Sequence, residues 1–512
     1  MSKPFGKMAT TKAALLVTGS TYISFFFGLL VSAIIARGIG PADFGRYSYV
    51  IWLSGILVIV ANNGLTTTGL RFISENLGRG TSEAAGNVHG WLLRRQHVFV
   101  LLSLGGFLVS LPLTVPPDWG LPVSAFIGAV AVSLVAKAYY IFYISAAKGH
   151  GQFAVEAVST SVLSGLNLLV VLVLFLLKAP AIAYLVLFSI ANIAYFTMAS
   201  RMMKSRSILP TYRDLEPELK SRIQSHLIWT VLLTLAGAFG NKASEIYLLG
   251  NYVGPAEVGF FAIGAALTRG GVELLAAGLN TVLMPLMAHG YGQGGTARVH
   301  AILATSVRLF GFGGFLLAGV GFLWADVAVS LMYGENYRDA IPVFRVMIVM
   351  AGLTISQSAF GALLSTTDNQ RIRAGVVVAS VVISAAAAFL LVPRYGLQGA
   401  VLSQALSSGI IFLVVTLGIV KVFAVKLPWA QLGRKFLAAC FAGAVAGALL
   451  WTSQSVVVQL LSGLVYAIVY ITATLIFGAW QRSDFEQLRP LATRYPGFIG
   501  WLLRRMERWA RP

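Results

Sequence analysis

The feature that leaves this chain fewest options is the recurrence of apolar stretches long enough to cross a bilayer. At 1.5 Å per helical residue, about 20 apolar residues cover a hydrocarbon core roughly 30 Å thick. The first such stretch runs from Ala13 to Ala36, and others follow almost without interruption to residue 480. Inside lipid every backbone N–H and C=O must be paired within the protein, which leaves only helices and closed barrels. Barrel strands alternate over about 10 residues. The stretches here do not alternate and are about twice that length, so they are expected to be helices. Only 11% of the 512 residues are charged and 57% are hydrophobic, against about 25% charged in soluble domains. The expectation is an all-α integral membrane protein.

Fourteen segments fit as spans, at approximately 13–36, 47–70, 97–115, 121–146, 153–177, 179–200, 226–250, 258–282, 306–330, 342–366, 372–392, 397–420, 432–451 and 456–480. The first is too long for a signal-peptide core and lacks a small-residue cleavage site, so it reads as a retained span. With the N-terminus placed in the cytoplasm, 29 of the 38 Lys and Arg residues fall in the N-terminal segment, the even-numbered loops and the tail. Six fall in the odd-numbered loops and three inside spans. That bias places both termini in the cytoplasm. The net charge of +20 then reads as attraction to anionic membrane lipids, with no nucleic-acid partner expected.

The chain also repeats itself. Gly40-Pro-Ala-Asp-Phe-Gly45 after the first span matches Gly254-Pro-Ala-Glu-Val-Gly259 after the seventh, an offset of 214 residues. At the same offset Arg94 matches Arg308 and Gly80 matches Gly294. A register held over more than fifty residues points to two six-helix bundles of common ancestry. An even number of spans per half makes the repeat parallel, and substrate sites in such proteins lie between the halves. The expected organisation is an N-terminal lobe (1–200), a cytoplasmic linker (201–225), a C-terminal lobe (226–420), two further helices (421–480) and a basic amphipathic tail (481–512). Within the linker, Asp214–Lys220 reads as a short surface helix.

Nothing in the sequence points to an enzyme: it has no phosphate-binding loop of the Walker type, no paired Cys/His metal spacing and no nucleophile elbow. The single cysteine, Cys440, excludes a disulfide within the chain and reads as a small packed residue. No cofactor or metal is expected beyond H+ or Na+ as a coupling ion.

The informative residues are charges inside spans, where their cost usually turns them toward a bundle interior or a wet cavity. Lys242 in span seven and Arg269 in span eight fall about 12 Å and about 16 Å from the outer surface. Lys137 in span four falls about 13 Å from the inner surface. Arg suits phosphate because its fork bonds two oxygens at once, whereas Lys acts as a point charge. Glu245, Glu273, Asn241, Asn62 and Asn63 are the accompanying polar candidates for the cavity or for proton coupling. A structural account stands beside this one. Lys242 with Glu245, and Arg269 with Glu273, have the spacings of self-neutralising pairs on one α-helical face. Asn62 and Asn63 equally suit interhelical hydrogen bonding. Glu156, near a span end, reads as structural.

Four loop and turn motifs are distinctive: Arg37-Gly-Ile-Gly-Pro-Ala-Asp-Phe-Gly-Arg-Tyr47, Tyr333-Gly-Glu-Asn-Tyr-Arg-Asp-Ala-Ile-Pro-Val-Phe-Arg345, Tyr395-Gly-Leu-Gln-Gly-Ala400 and Pro285 at the end of span eight. With them the chain resembles the polysaccharide-biosynthesis exporters, the O-antigen flippases and their relatives. The resemblance implies the two-bundle fold shared with multidrug and toxin extrusion transporters and lipid II flippases. It also implies a bacterial inner-membrane location, alternating access and a cationic cavity for a polyprenyl-diphosphate oligosaccharide, with a polysaccharide polymerase or export complex as a possible partner. Lipid II translocation, drug or cation antiport and a non-transporting scaffold are the competing expectations. The offset partners of Lys242 and Arg269 are Gly28 and Gly55, so the expected cationic lining comes from one half plus Lys137.

Overall fold

In the computed structural model, residues 7–240, 242–366, 370–451, 453, 455–481 and 484 are described. The α-helices in chain order are α1 (Lys7–Asn62), α2 (Leu65–Gly78), α3 (Ser82–Val109), α4 (Leu111–Thr114), α5 (Val123–Gly149), α6 (Ala154–Leu176), α7 (Ala181–Ser205), α8 (Pro217–Gly240) and α9 (Ala243–Leu248). They continue with α10 (Pro255–Thr268), α11 (Leu274–Leu323), α12 (Ala325–Tyr333), α13 (Ala340–Thr354), α14 (Ser358–Thr366), α15 (Gln370–Phe423), α16 (Trp429–Leu450) and α17 (Val456–Ile476). The expected all-α membrane fold is therefore what forms.

Among the described residues, eleven helices are long and apolar enough to cross a membrane, or twelve if the bent pair Pro217–Ala238 and Ala243–Val253 counts as one span. Two of the eleven are double length: Val17–Asn62 with 46 residues and Ala374–Phe423 with 50. Each breaks at a glycine, Gly40 (φ 78°, ψ 173°) in α1 and Gly396 (φ 55°, ψ −130°) in α15. Fourteen is reached when the bent pair is counted and each double-length helix is taken as two spans; eleven or twelve is the number of helices among the described residues.

Several expected boundaries move. The third span does not begin at residue 97, because α3 starts at Ser82. The residues assigned to the preceding loop are thus largely helical and carry His89, Arg94 and Arg95. The surface helix expected at 214–220 does not form as a separate element: helix begins at Pro217 and runs straight on into span seven. Cys440 is exposed on α16 rather than packed. The expected tail lies outside the described residues except for Gln481 and Asp484.

The chain divides into two compact units, unit 1 (Met1–Ala262 and Ala388–Ala400) and unit 2 (Ile263–Ala387 and Val401–Pro512). In unit 1 the two repeated motifs meet each other. A side-chain carbon on Gly45 would lie 1.5 Å from the carbonyl oxygen of Pro255, and one on Gly259 would lie 3.0 Å from that of Pro41. The contact is reciprocal, as an interface about a two-fold axis is. It also explains the sequence: Gly40 and Gly254 break the helix, Pro41 and Pro255 restart it, and Gly45 lets the restarted helices touch backbone to backbone.

The core of unit 1 includes Val58 and Ala61 of α1, Val100 of α3, and Leu134 and Ala138 of α5. The inter-lobe connection is strapped across the same unit. Thr211 N donates to Gly86 O at 3.1 Å, Thr211 Oγ1 donates to Asn87 Oδ1 at 2.6 Å, and Arg222 pairs with Glu75 at 2.8 Å. In unit 2, α16 and α17 pack on α11 through Ala438, Ala442, Ala446, Tyr466 and Tyr470. Tyr466 and Tyr470 donate to the carbonyls of Phe315 and Phe312 at 2.8 and 3.1 Å. Small residues that admit close helix approach, with aromatic hydroxyls satisfying carbonyls, suit packing in lipid, where helix association gains little from the hydrophobic effect.

Candidate functional site

Span seven is not a continuous helix. α8 stops at Gly240, α9 starts at Ala243, and the two axes differ by 49°. Lys242 sits at the break in the left-handed region (φ 59°, ψ 17°), which costs a non-glycine residue about 1 kcal/mol. Its side chain is half-buried. Three residues on, Glu245 is fully buried. Of the expected i,i+3 pair, the lysine stands at the N-cap of a new helix and the glutamate lies inside that helix. Asn241 lies outside the described residues.

Just beyond, Leu249–Val253 forms a π-helical turn. Its Asn251 donates to Tyr49 Oη at 3.3 Å, Tyr49 donates to Thr114 O at 3.0 Å, and Tyr247 donates to Leu113 O at 3.1 Å. These bonds hold the end of span seven to α1 and to the segment after α3. Arg46 adds an ion pair to Asp43 at 2.6 Å and a bond to the Asp118 carbonyl at 3.3 Å.

Two other expected unit 1 residues lie at a helix break, and Lys137 lies mid-helix. Asn62 ends α1, Asn63 is left-handed (φ 38°), and both are buried. Lys137 is half-buried on α5, one residue before Ala138 of the same core. Glu156 pairs with Lys148 at 3.0 Å, the structural role expected of it.

Arg269 and Glu273 belong to unit 2. They open and close a second π-helical turn, Arg269–Glu273, and both are exposed. The expected i,i+4 α-helical spacing is therefore corrected to a wider turn. Turns of this kind cluster at functional sites, and here two of them flank α10.

The sequence reading missed two buried groups. In unit 2, Arg308 pairs with Asp484 at 2.7 Å, and Lys435 Nζ donates to the Arg308 carbonyl at 2.8 Å while lying 4.7 Å from the centre of the Trp480 ring. Arg308 is visible in the sequence through its offset partner Arg94, but Lys435 and Asp484 look like ordinary loop charges. In unit 1, His89 is fully buried on α3, its ring 5.9 Å from that of His150. Sequence spacing alone did not join these two histidines.

Substrate sites of helical transporters are typically formed by broken helices, and this chain has helix breaks at Asn62–Asn63 and at Lys242. The profile of the family described as polysaccharide biosynthesis protein matches residues 10–290. The chain belongs to the polysaccharide biosynthesis protein family. Its fold is similar to that of a lipid II flippase, MurJ, in an inward closed conformation, with a TM-score of 0.71 at 11% identity over 90% of this chain and 98% of that one. It is similar to an inward-facing multidrug resistance MATE transporter of the MOP superfamily, with a TM-score of 0.66 at 15% identity over 77% and 94%. It is also similar to the Vibrio cholerae MATE transporter VcmN, with a TM-score of 0.57 at 16% identity over 81% and 98%. These likenesses establish the fold. No curated protein sequence matches the chain.

Proposed function

We propose that this family member is a flippase that moves a polyprenyl-diphosphate-linked oligosaccharide from the cytoplasmic to the outer leaflet of a bacterial inner membrane by alternating access. The observation that carries the reading is Lys242 at the break in span seven of a chain belonging to the polysaccharide biosynthesis family. A half-buried ammonium on unwound backbone suits an anionic headgroup, because a Lys is a point charge that attracts phosphate. Arg269 on its π turn supplies the forked donor that suits phosphate. Lys137 is the third proposed cation. The polyprenyl tail stays in lipid, and the bias of Lys and Arg supports cytoplasmic termini. A polymerase or export complex would take the product.

The test is the pool of lipid-linked intermediates in a strain lacking the gene, complemented with wild type or with Lys242→Ala/Arg269→Ala. Accumulation of polyprenyl-diphosphate oligosaccharide on the cytoplasmic face, relieved by wild type and not by the double variant, is the expected result. Changed drug sensitivity without accumulation would overturn it in favour of antiport. One alternative has an observation of its own: the likeness to the lipid II flippase covers 90% of the chain. Accumulated lipid II in place of the oligosaccharide would establish that cargo instead.

A further inference from the structure

The long apolar helix α1 ends at a buried break in unit 1, and three amide oxygens are buried at it. α1 ends at Asn62 and α2 begins at Leu65, with Asn63 and Gly64 both left-handed (φ 38° and 76°). Asn62, Asn63 and Gln96 are 5%, 7% and 0% exposed. Gln96 reaches the break from α3, its Nε2 donating to Ala61 O at 3.2 Å, while Asn62 Nδ2 donates to Val58 O at 3.0 Å. Only an NH2 group can donate to a carbonyl, so both amides are fixed with their oxygens turned the other way. Those oxygens, Asn62 Oδ1 and Gln96 Oε1, have no hydrogen-bond partner, and neither does Asn63 Oδ1.

Three buried amide oxygens without a donor are expensive away from water, since such a group costs about as much as a lost hydrogen bond or more. The end of a helix adds to the surplus, because its last carbonyls lack intrahelical donors. Here Ile59 O is taken by Asn63 N at 2.9 Å and Ala61 O by Gln96. α8 covers the break, with Thr230 within 2.7 Å of where a side-chain carbon on Gly64 would stand. The surroundings are thus rich in acceptors and short of donors.

We propose that this break is a binding site for a monovalent metal cation, sodium, held by the amide oxygens of Asn62, Asn63 and Gln96. A water molecule could donate to two of the three oxygens and would leave the third and its own lone pairs unmatched. A cation satisfies every oxygen at once. Hard cations take oxygen ligands, but calcium sites draw on carboxylates and magnesium keeps waters and carboxylates. The ligands here are neutral, and no cluster of three or more His, Cys, Asp or Glu stands ready for a metal among the described residues. Unwound backbone in the interior of a transporter helix is where sodium is bound in other folds. The site does not depend on what cargo the chain moves.

The test is the thermal unfolding of the full-length protein in detergent, in sodium, potassium or choline chloride at equal concentration. Sodium is expected to raise Tm saturably over choline, because a ligand of the native state stabilises it by mass action. Asn63→Gly keeps the left-handed backbone and removes one oxygen, and Gln96→Leu removes another. Each is expected to weaken the apparent sodium affinity about tenfold or more, the loss of one good ligand. Asn62→Asp adds a carboxylate and is expected to tighten it. An equal Tm in sodium and choline for the wild type would overturn the proposal. So would a sodium response left unchanged in all three variants. If Gln96→Leu fails to fold, Asn63→Gly, which suits the backbone better than asparagine does, carries the test alone.

Discussion

Two sets of charges behave differently in this protein. In unit 2, Arg308, Lys435 and Asp484 are 5%, 0% and 0% exposed, and each is held by named bonds. Within spans seven and eight, Lys242 and Arg269 lie at helix irregularities and keep part of their surface open. A charge buried with a fixed partner has its field cancelled where it stands and has little left to attract a ligand. A charge on a left-handed residue or a π turn is placed at a cost to the helix, and such cost persists mainly where function requires it. The first set is therefore read as architecture that fastens α16 and the chain after α17 to α11, and the second is the one proposed above for recognition. The contrast predicts opposite responses to substitution.

The largest effect belongs to the fastened set. Asp484→Ala would leave Arg308 without its carboxylate in a buried position, and breaking one partner of a buried pair costs about 3–5 kcal/mol. Thermal unfolding of the purified variant in detergent is expected to show that loss. The accumulation of lipid-linked intermediate should then rise only as far as folded protein is lost from the membrane. A variant as stable as wild type with transport abolished would reverse the assignment and make this cluster a functional one.

The two sets also differ in how legible they were from sequence. Helices, apolar faces and the Gly-Pro motifs follow from local chemistry, so the fold class and the 214-residue repeat were legible, whereas the meeting of Gly45 with Pro255 was not. Lys242, Arg269, Lys137, Asn62 and Asn63 stood out because a polar group in an apolar run is conspicuous. Their geometry did not stand out. A helix that admits one extra residue at Arg269–Glu273, or unwinds at Lys242, keeps nearly the same hydrophobic pattern as one that does not. The Arg308–Asp484 pair joins residues 176 positions apart, and no local period encodes such a meeting. The strap at Thr211 was hidden for a related reason: its bonds to Gly86 and Asn87 are made to a helix that sequence reading had taken for a loop.

An intermediate effect sharpens the recognition side of the contrast. Lys242→Gly removes the ammonium and, at φ 59°, gives the position to the residue that adopts this backbone without penalty. Non-glycine residues pay about 1 kcal/mol there, partly offset by the greater freedom of glycine in the unfolded chain. The variant is expected to be as stable as wild type or slightly more so, while failing to relieve accumulation of the lipid-linked intermediate. Stability and transport moving apart is the signature of a recognition charge. A variant that unfolds instead would place Lys242 with Arg308 and Lys435 as architecture.

The smallest effect tests whether exposed charges on the strap matter at all. Glu75 on α2 receives Arg222 at 2.8 Å and Arg79 at 2.7 Å, and its side chain is 23% exposed. The hydrogen bond from Arg222 is the main reason its carboxyl is held below the usual value of 4.5; burial opposes this, and the charges of Arg222, Arg79 and Arg71 add to it. A depressed carboxyl favours folding in its ionised form. The contribution is therefore full above the unfolded value near 4.5 and drains away as pH falls through the lower folded value. Solvent screening limits such a pair to a few tenths of a kcal/mol, and salt reduces it further. Glu75→Gln is thus expected to lower Tm only slightly at neutral pH, and to leave the variant and the wild type equally stable once the pH falls below the folded carboxyl's titration. A Tm difference that persists in full at low pH would mean that Glu75 holds the strap by packing and not by charge, and the division between fastened and exposed charges would then need a third class.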